Sequence, residues 1–305
     1  MTARSILSAP ELAPYQDEPG QAPSGRVGKT GILEMRFEDR GPRSVLAHLY
    51  RKTPLLVQQA LYWDEAIPGL PCVYMISTSG CVLQGDRLRV AIAMDPGAMA
   101  HVTTQSATKI HEMDANFASQ LQTVTLSEGA YLELMPGMTI PHRHSRFLAH
   151  TAVTIDRSAT LLFSEIVMPG RKHHGDGETF EYDVYSTTVT ASRPGGSALF
   201  TEKLLIEPGR APVRLAGVMR GYDVFANVLL LTPREHADAV LDRVATGRRD
   251  SSVIAGASRL PHDAGLIYKV LGPESEPVRA TVRDFWSATR AVVLDKPIPP
   301  VPLWG

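Results

Sequence analysis

The stretch Ser77–His111, STSGCVLQGDRLRVAIAMDPGAMAHVTTQSATKIH, decides how the rest of the chain reads. Gly80 and Gly85 supply backbone freedom where the chain must turn, and Asp86-Arg87 follows with opposite charges able to brace the second turn. Leu88, Val90, Ile92 and Met94 alternate with Arg89, Ala91 and Ala93, the period of a strand with one buried face. Asp95-Pro96-Gly97 turns the chain again, and a second strand ends in Thr103-Thr104-Gln105. The stretch carries no nucleophile elbow and no Gly-Lys-Ser/Thr phosphate loop. His111-Glu112 begins a zincin-like motif, but Ala115 stands where the second histidine would have to be.

Outward from this segment the same grammar continues. Short alternating runs at Leu33–Phe37, Val45–Tyr50, Leu121–Leu126, Tyr131–Met135, Leu161–Met168, Tyr182–Ala191 and Ala198–Ile206 predict a mainly β body. Asp95-Pro96-Gly97-Ala98, Ser127-Glu128-Gly129-Ala130 and Asp156-Arg157-Ser158-Ala159 each set a tight turn before a strand, at intervals of about 30 residues. That rhythm fits a β-helix or solenoid-like stack of sheets, and a β-sandwich also produces frequent turns. The last third changes character. Thr232-Pro233-Arg234-Glu235 has the composition of a capping box, with Ala237, Val240, Leu241 and Val244 at helical spacing until Gly247. A second helix opens near Pro277, with Val278, Val282, Phe285, Thr289 and Val292 on one face, while Arg279, Arg283 and Arg290 fall away from it. These C-terminal helices pack on the β body, or present a face or their arginines to a partner.

Composition narrows the function. Lys plus Arg (31) balance Asp plus Glu (32), so nothing in the charge calls for nucleic acid or an anionic membrane as partner. Cys72 and Cys81 fit neither a zinc pair nor a redox CxxC and read as free thiols of a reducing, cytoplasmic compartment. Residues 1–27 lack the apolar core of a signal peptide and read as a flexible arm ahead of a single domain, 28–305, whose Pro-rich end is DKPIPPVPLWG. No apolar run approaches the roughly 20 residues that span a bilayer.

Two kinds of residue carry candidate chemistry. His142 and His144, two apart after Pro136-Gly137, would share one face of a strand and could share a metal, as in a cupin-like metalloenzyme. His173-His174 with Asp176 and Glu178 form a second cluster in a Gly-rich loop, where solvated histidines are the simpler reading. Glu133, Glu165 and Glu202 are carboxylates set among apolar strand residues. Burying such a group is costly without a partner or a cation, so an inward carboxylate marks a salt bridge, a proton site or a wet path.

The ordered series Gly80-Cys81-Val82-Leu83-Gln84-Gly85-Asp86-Arg87-Leu88, Pro96-Gly97-Ala98, Thr103-Thr104-Gln105-Ser106-Ala107-Thr108-Lys109-Ile110, Glu133-Leu134-Met135-Pro136, Gly170-Arg171 and Gly177-Glu178-Thr179-Phe180 resembles the urease accessory protein UreD (UreH) family. Cys81 and Gln84 stand where that family often has glycine. The resemblance implies a solenoid-like β fold with two helices and Gly80, Gly85, Asp86 and Arg87 as a fold-defining turn. It implies a nonenzymatic scaffold that binds apo-urease and, with UreF and the GTPase UreG, supports nickel insertion. No cofactor is held tightly, and nickel is in transit. On matching positions it puts Glu165 and Glu202 on an internal nickel path, with Thr104 and Glu133 in adjacent matched segments. Scattered oxygen ligands suit an ion that must move on, whereas a cage of His and Cys would retain it.

Overall fold

A computed structural model describes residues 8–17, 29–244, 247–248 and 253–300. Two open sheets stack face to face. Sheet 1 has seven strands: β1 (Thr30–Asp39), β2 (Ser44–Lys52), β6 (Arg87–Met94), β9 (Ala118–Leu126), β12 (Arg146–Ile155), β14 (Val184–Ser192) and β15 (Ala198–Ile206), in the spatial order β15-β14-β12-β9-β6-β1-β2. Sheet 2 follows the order β17-β18-β19-β16-β13-β10-β7-β5-β3, formed by Gly247–Arg248, Ile254–Arg259, Gly265–Gly272, Val224–Leu231, Thr160–Val167, Tyr131–Leu134, Met99–Thr104, Cys72–Ser77 and Leu55–Leu56. The short strands β4 (Ala60–Leu61), β8 (Thr108–Ile110) and β11 (Thr139–Pro141) lie off that path.

Between Arg87 and Ser192 the chain passes alternately through the two sheets, and each of β6, β9, β12 and β14 pairs in parallel with its neighbour in sheet 1. β7, β10 and β13 do the same in sheet 2. The turns between them lie against one another: Gly97 N donates to Glu128 O at 2.9 Å and Gly129 N to Ser158 Oγ at 2.9 Å. This contact is the physical origin of the turn rhythm in the sequence. β1 and β5 extend the parallel runs by pairing with β6 and β7, both sheets continue beyond them with antiparallel strands, and among the described residues neither closes on itself. The mainly β expectation thus takes the form of two mixed sheets, and a solenoid does not describe the whole chain.

Helices α1 (Arg234–Leu241) and α2 (Ser275–Val293) cover the outer face of sheet 2 through Val240, Val282, Phe285 and Trp286, packed on Leu162, Ile166, Val228, Leu230 and Tyr268. Each such side chain, fully buried, contributes about 1.5–3 kcal/mol. Because helices cover one side and sheet 1 the other, β16 is buried at every position, which accounts for its unbroken VFANVLLL composition. Three details depart from the sequence reading. Helix α1 stops at Leu241, well before Gly247. Its N-cap is Pro233, and the Thr232 hydroxyl bonds Thr160 Oγ1 at 2.8 Å, so no capping box forms. Arg290 is fully buried, because its guanidinium serves two carboxylates described below.

Part of the segment read as a flexible arm is seated. Pro10–Tyr15 forms a 3-10 helix on the outer face of sheet 1, where Leu12 packs with Phe117 and Leu148 and Glu11 pairs with Lys203 and Ser186 Oγ. Residues 1–7 and 18–27 of that arm and residues 301–305 of the Pro-rich end lie outside the described residues. Among the described residues, no helix is long and apolar enough to cross a membrane.

Candidate functional site: a polar cavity between the sheets

Inward positions change chemistry along several strands of the stack, whereas those of β6 and β10 are apolar throughout. In sheet 1 the first halves of β9, β12 and β14 turn Gln120, Gln122, Thr151 and Thr187 toward sheet 2, and the second halves supply Val124, Val153 and Ala191 to the core. In sheet 2 the gradient is reversed: on β13 Leu161 and Phe163 precede Glu165, with the apolar Val167 closing the strand, and β7 ends at Thr104. The polar ends coincide and leave a cavity of about 290 Å³, enough for a chain of waters. Its exposed lining residues are Ser77, Gly80, Gln105, Ser106 and Lys109, so its mouth lies in the segment that opened the sequence reading.

That mouth is held by hydrogen bonds rather than by packing alone. Gly80 (φ 74°) and Gly85 (φ 76°) adopt left-handed conformations that side-chain-bearing residues resist. The buried Asp86 accepts from the amides of Lys29 and Leu83, both at 2.9 Å. Arg87 reaches the Phe117 carbonyl at 2.6 Å and Asn116 Oδ1 at 2.8 Å, with its guanidinium over the Phe117 ring. The two charges expected to brace the turn therefore brace backbone and neighbouring strands. Thr104 Oγ1 donates to Ser106 O at 2.8 Å and accepts Gly137 N at 2.9 Å, which ties the mouth to the next turn.

Glu165 sits deep in the protein yet keeps accessible surface, because the cavity reaches it. Tyr185 OH and Thr187 Oγ1 donate to its carboxylate at 2.9 and 3.2 Å. Burial pushes its pKa above the ordinary carboxylate value and the charge of Glu202 adds to that, against the two hydroxyl donors. Among the described residues no cationic side chain pairs with Glu165. Glu202 lies on edge strand β15 and pairs with Lys269 at 2.5 Å.

A family model described as "UreD urease accessory protein" matches residues 29–305. The chain belongs to the UreD family. It is 52% identical over 298 residues to urease accessory protein UreD 2 of Brucella canis, covering 97% of this chain and 99% of that protein. It is also 52% identical over 299 residues to UreD of Yersinia pseudotuberculosis serotype O:1b, covering 98% and 93%.

In this UreD chain the remaining expected residues lie away from the cavity. Glu133 faces the helices: it is fully buried and accepts Arg290 Nε at 2.6 Å, Trp286 Nε1 at 2.7 Å and Tyr131 OH at 2.7 Å, with His101 Nδ1 at 2.7 Å. Burial would raise its pKa, but His101 and Arg290 hold it down at about 2. Arg290 also binds the buried Asp64 at 2.5 Å, so one guanidinium joins a loop, a strand and a helix. His142 and His144 follow the end of β11 and do not share a strand face: His144, at φ 55°, is exposed beside Asp183, while the buried His142 stands next to His111 with ring centroids 5.6 Å apart. Burial and the charge of Arg171 lower the pKa of His142 to about 4. His173 pairs with Glu274, and Glu178 is taken by Arg171, so the loop cluster is divided among separate ion pairs. Among the described residues no group of three or more His, Cys, Asp and Glu is poised to hold a metal.

The sequence reading missed Gln120, Gln122, Thr151, Thr187, Tyr185 and Asn227. Gln120 with Gln122 and Tyr185 with Thr187 recur every second position at one end of their strands, whereas Thr151 and Asn227 are single polar residues among apolar neighbours of the same face.

Proposed function

We propose that this UreD chain acts in urease maturation as a cytoplasmic, nonenzymatic scaffold that binds apo-urease and works with UreF and UreG, and that its inter-sheet cavity is the internal path along which nickel moves. The observation that carries the reading is Glu165: an enclosed carboxylate with two hydroxyl donors and open space before it. A carboxylate kept in low dielectric without a cation is an expensive arrangement, and a transient divalent ion relieves the cost. Glu202, partly exposed at the sheet edge, gives a second oxygen ligand nearer the solvent. Family membership and near full-length similarity to urease accessory proteins support the cellular role. Glu133 contributes by fastening the helices to sheet 2 and leaves the path to the other face of the sheet.

The test is the nickel content of urease assembled in cells carrying Glu165→Gln, Glu202→Gln and the double variant. Nickel per urease subunit drops by at least half in the double variant while complex formation stays intact. Full loading by the double variant would reject the path.

A further inference from the structure

Glu165 and Glu202 are connected by a polar row that crosses the end of the stack. Asn227 on β16 is the register partner of Glu165 on β13, and Lys269 on β19 is the register partner of Asn227. Alternation places all three on the side facing sheet 1. Phe163 and Val167 flank Glu165, Phe225 and Leu229 flank Asn227, and Ile267 and Leu271 flank Lys269, all in or against the inter-sheet core. From the opposite sheet Glu202 joins the row, between Phe200 and Leu204, and meets the Lys269 ammonium at 2.5 Å.

Asn227 is the unexplained member. It is only 6% exposed, and its Oδ1 is buried without a hydrogen-bond partner. A buried amide oxygen left unsatisfied is costly and marks a place where a donor or a cation is missing. The neighbouring oxygens are two carboxylates close enough for the charge of Glu202 to raise the pKa of Glu165. Two carboxylates and an amide oxygen form a hard, oxygen-only set, whose preference is for a small cation rather than an uncharged ligand. A cation is already there in tethered form: the Lys269 side chain, 59% exposed, reaches from β19 to Glu202 on the edge strand of the opposite sheet.

We propose that Glu165, Asn227 Oδ1 and Glu202 form a divalent-cation station at the edge of the cavity and that the Lys269 ammonium is its latch, holding Glu202 when the station is empty and swinging into solvent when a divalent ion takes its place. The latch rests on the nickel-path reading and deepens it. Exchange of one cation for another keeps the charge of the row nearly balanced. A competing ammonium also weakens the hold on the incoming ion, which a conduit requires. Lysine suits the task, because its flexible stem carries a compact point charge that lets go without breaking a fork of hydrogen bonds.

The test is equilibrium binding of Ni²⁺ to the purified full chain at pH 7.5 and low salt. Lys269→Met removes the competitor and leaves folded packing unchanged, because the side chain is exposed. Its Ni²⁺ affinity rises about fivefold, the size of an exposed ion pair. Lys269→Arg, whose fork holds Glu202 more firmly, shows no gain and binds Ni²⁺ no better than the parent, and adding Glu165→Gln or Asn227→Ala to Lys269→Met removes the gain. An affinity for Lys269→Met equal to that of the parent, or a gain that survives Glu165→Gln, overturns the latch. The two readings fail separately. Lost urease loading in Glu165→Gln with no gain in Lys269→Met rejects the latch and keeps the path. Full loading in the Glu165/Glu202 double variant rejects the path, and the binding data still decide whether the station exists.

Discussion

Glu133 and Glu165 stand on neighbouring strands of one sheet and face opposite ways, and their surroundings could hardly differ more. On the helix side, Glu133 is enclosed by a guanidinium, an imidazole, an indole N–H and a phenol, and its pKa falls to about 2. On the cavity side, Glu165 has two hydroxyls and space, and its pKa rises. The same side-chain type therefore serves as a rivet on one face and stands open to a cavity on the other. The distinction rests on the supply of partners: Arg290 and His101 are committed to Glu133 on the helix side, and among the described residues no cationic side chain pairs with Glu165 on the cavity side.

The largest test of this contrast is Arg290→Met. It strands the buried Glu133 and Asp64, and unfolding in urea shows a loss of about 3–5 kcal/mol, the usual result of removing one partner from a buried charge network. A loss below about 1 kcal/mol would mean that Glu133 is not a rivet. The second test is pH. The folded-state pKa of Glu133 lies below its ordinary value of 4.5, so its contribution is complete above about pH 4.5 and drains away as the pH falls toward about 2. The shift corresponds to about 3 kcal/mol, visible as a fall in urea midpoint between pH 5 and pH 3 that is much weaker in Glu133→Gln. The smallest stability effect belongs to Glu165→Gln. A carboxylate with a raised pKa costs stability once the pH exceeds the ordinary carboxylate range, so at pH 7 the variant melts at the same temperature as the parent or slightly above it, by calorimetry, while nickel loading suffers. A variant that melted several degrees lower would make Glu165 structural, like Glu133.

How much of this was legible differs by element. Leu88, Val90, Ile92 and Met94 are buried as their alternation requires, and Ala198–Ile206 is a strand with the bounds read from its pattern. β16 escaped notice because a strand covered on both faces loses alternation, β18 because IAGASR carries little apolar pattern, and β19 because nearby helical spacing dominated the last third. Arg290 was misjudged for a different reason. Helical periodicity assigns a polar residue to the water side, yet here a carboxylate from a distant strand supplied its partner. The candidate site was legible one residue at a time: Glu165 and Thr104 line the cavity, but the cavity itself depends on parallel strands of separate turns aligning their polar ends, which no local pattern encodes. The His142 and His144 pairing failed on backbone geometry, since the chain leaves the strand before either residue.

The alignment of polar and apolar ends has a mechanical side as well. Strands β7, β9 and β14 are dry at one end and wet at the other, so each resembles a reed clamped at its base. Any widening of the mouth near Gly80 and Ser106 would start at the wet tips and leave the packing of the dry half in place. Give at the mouth is thereby separated from the packing that keeps the protein folded.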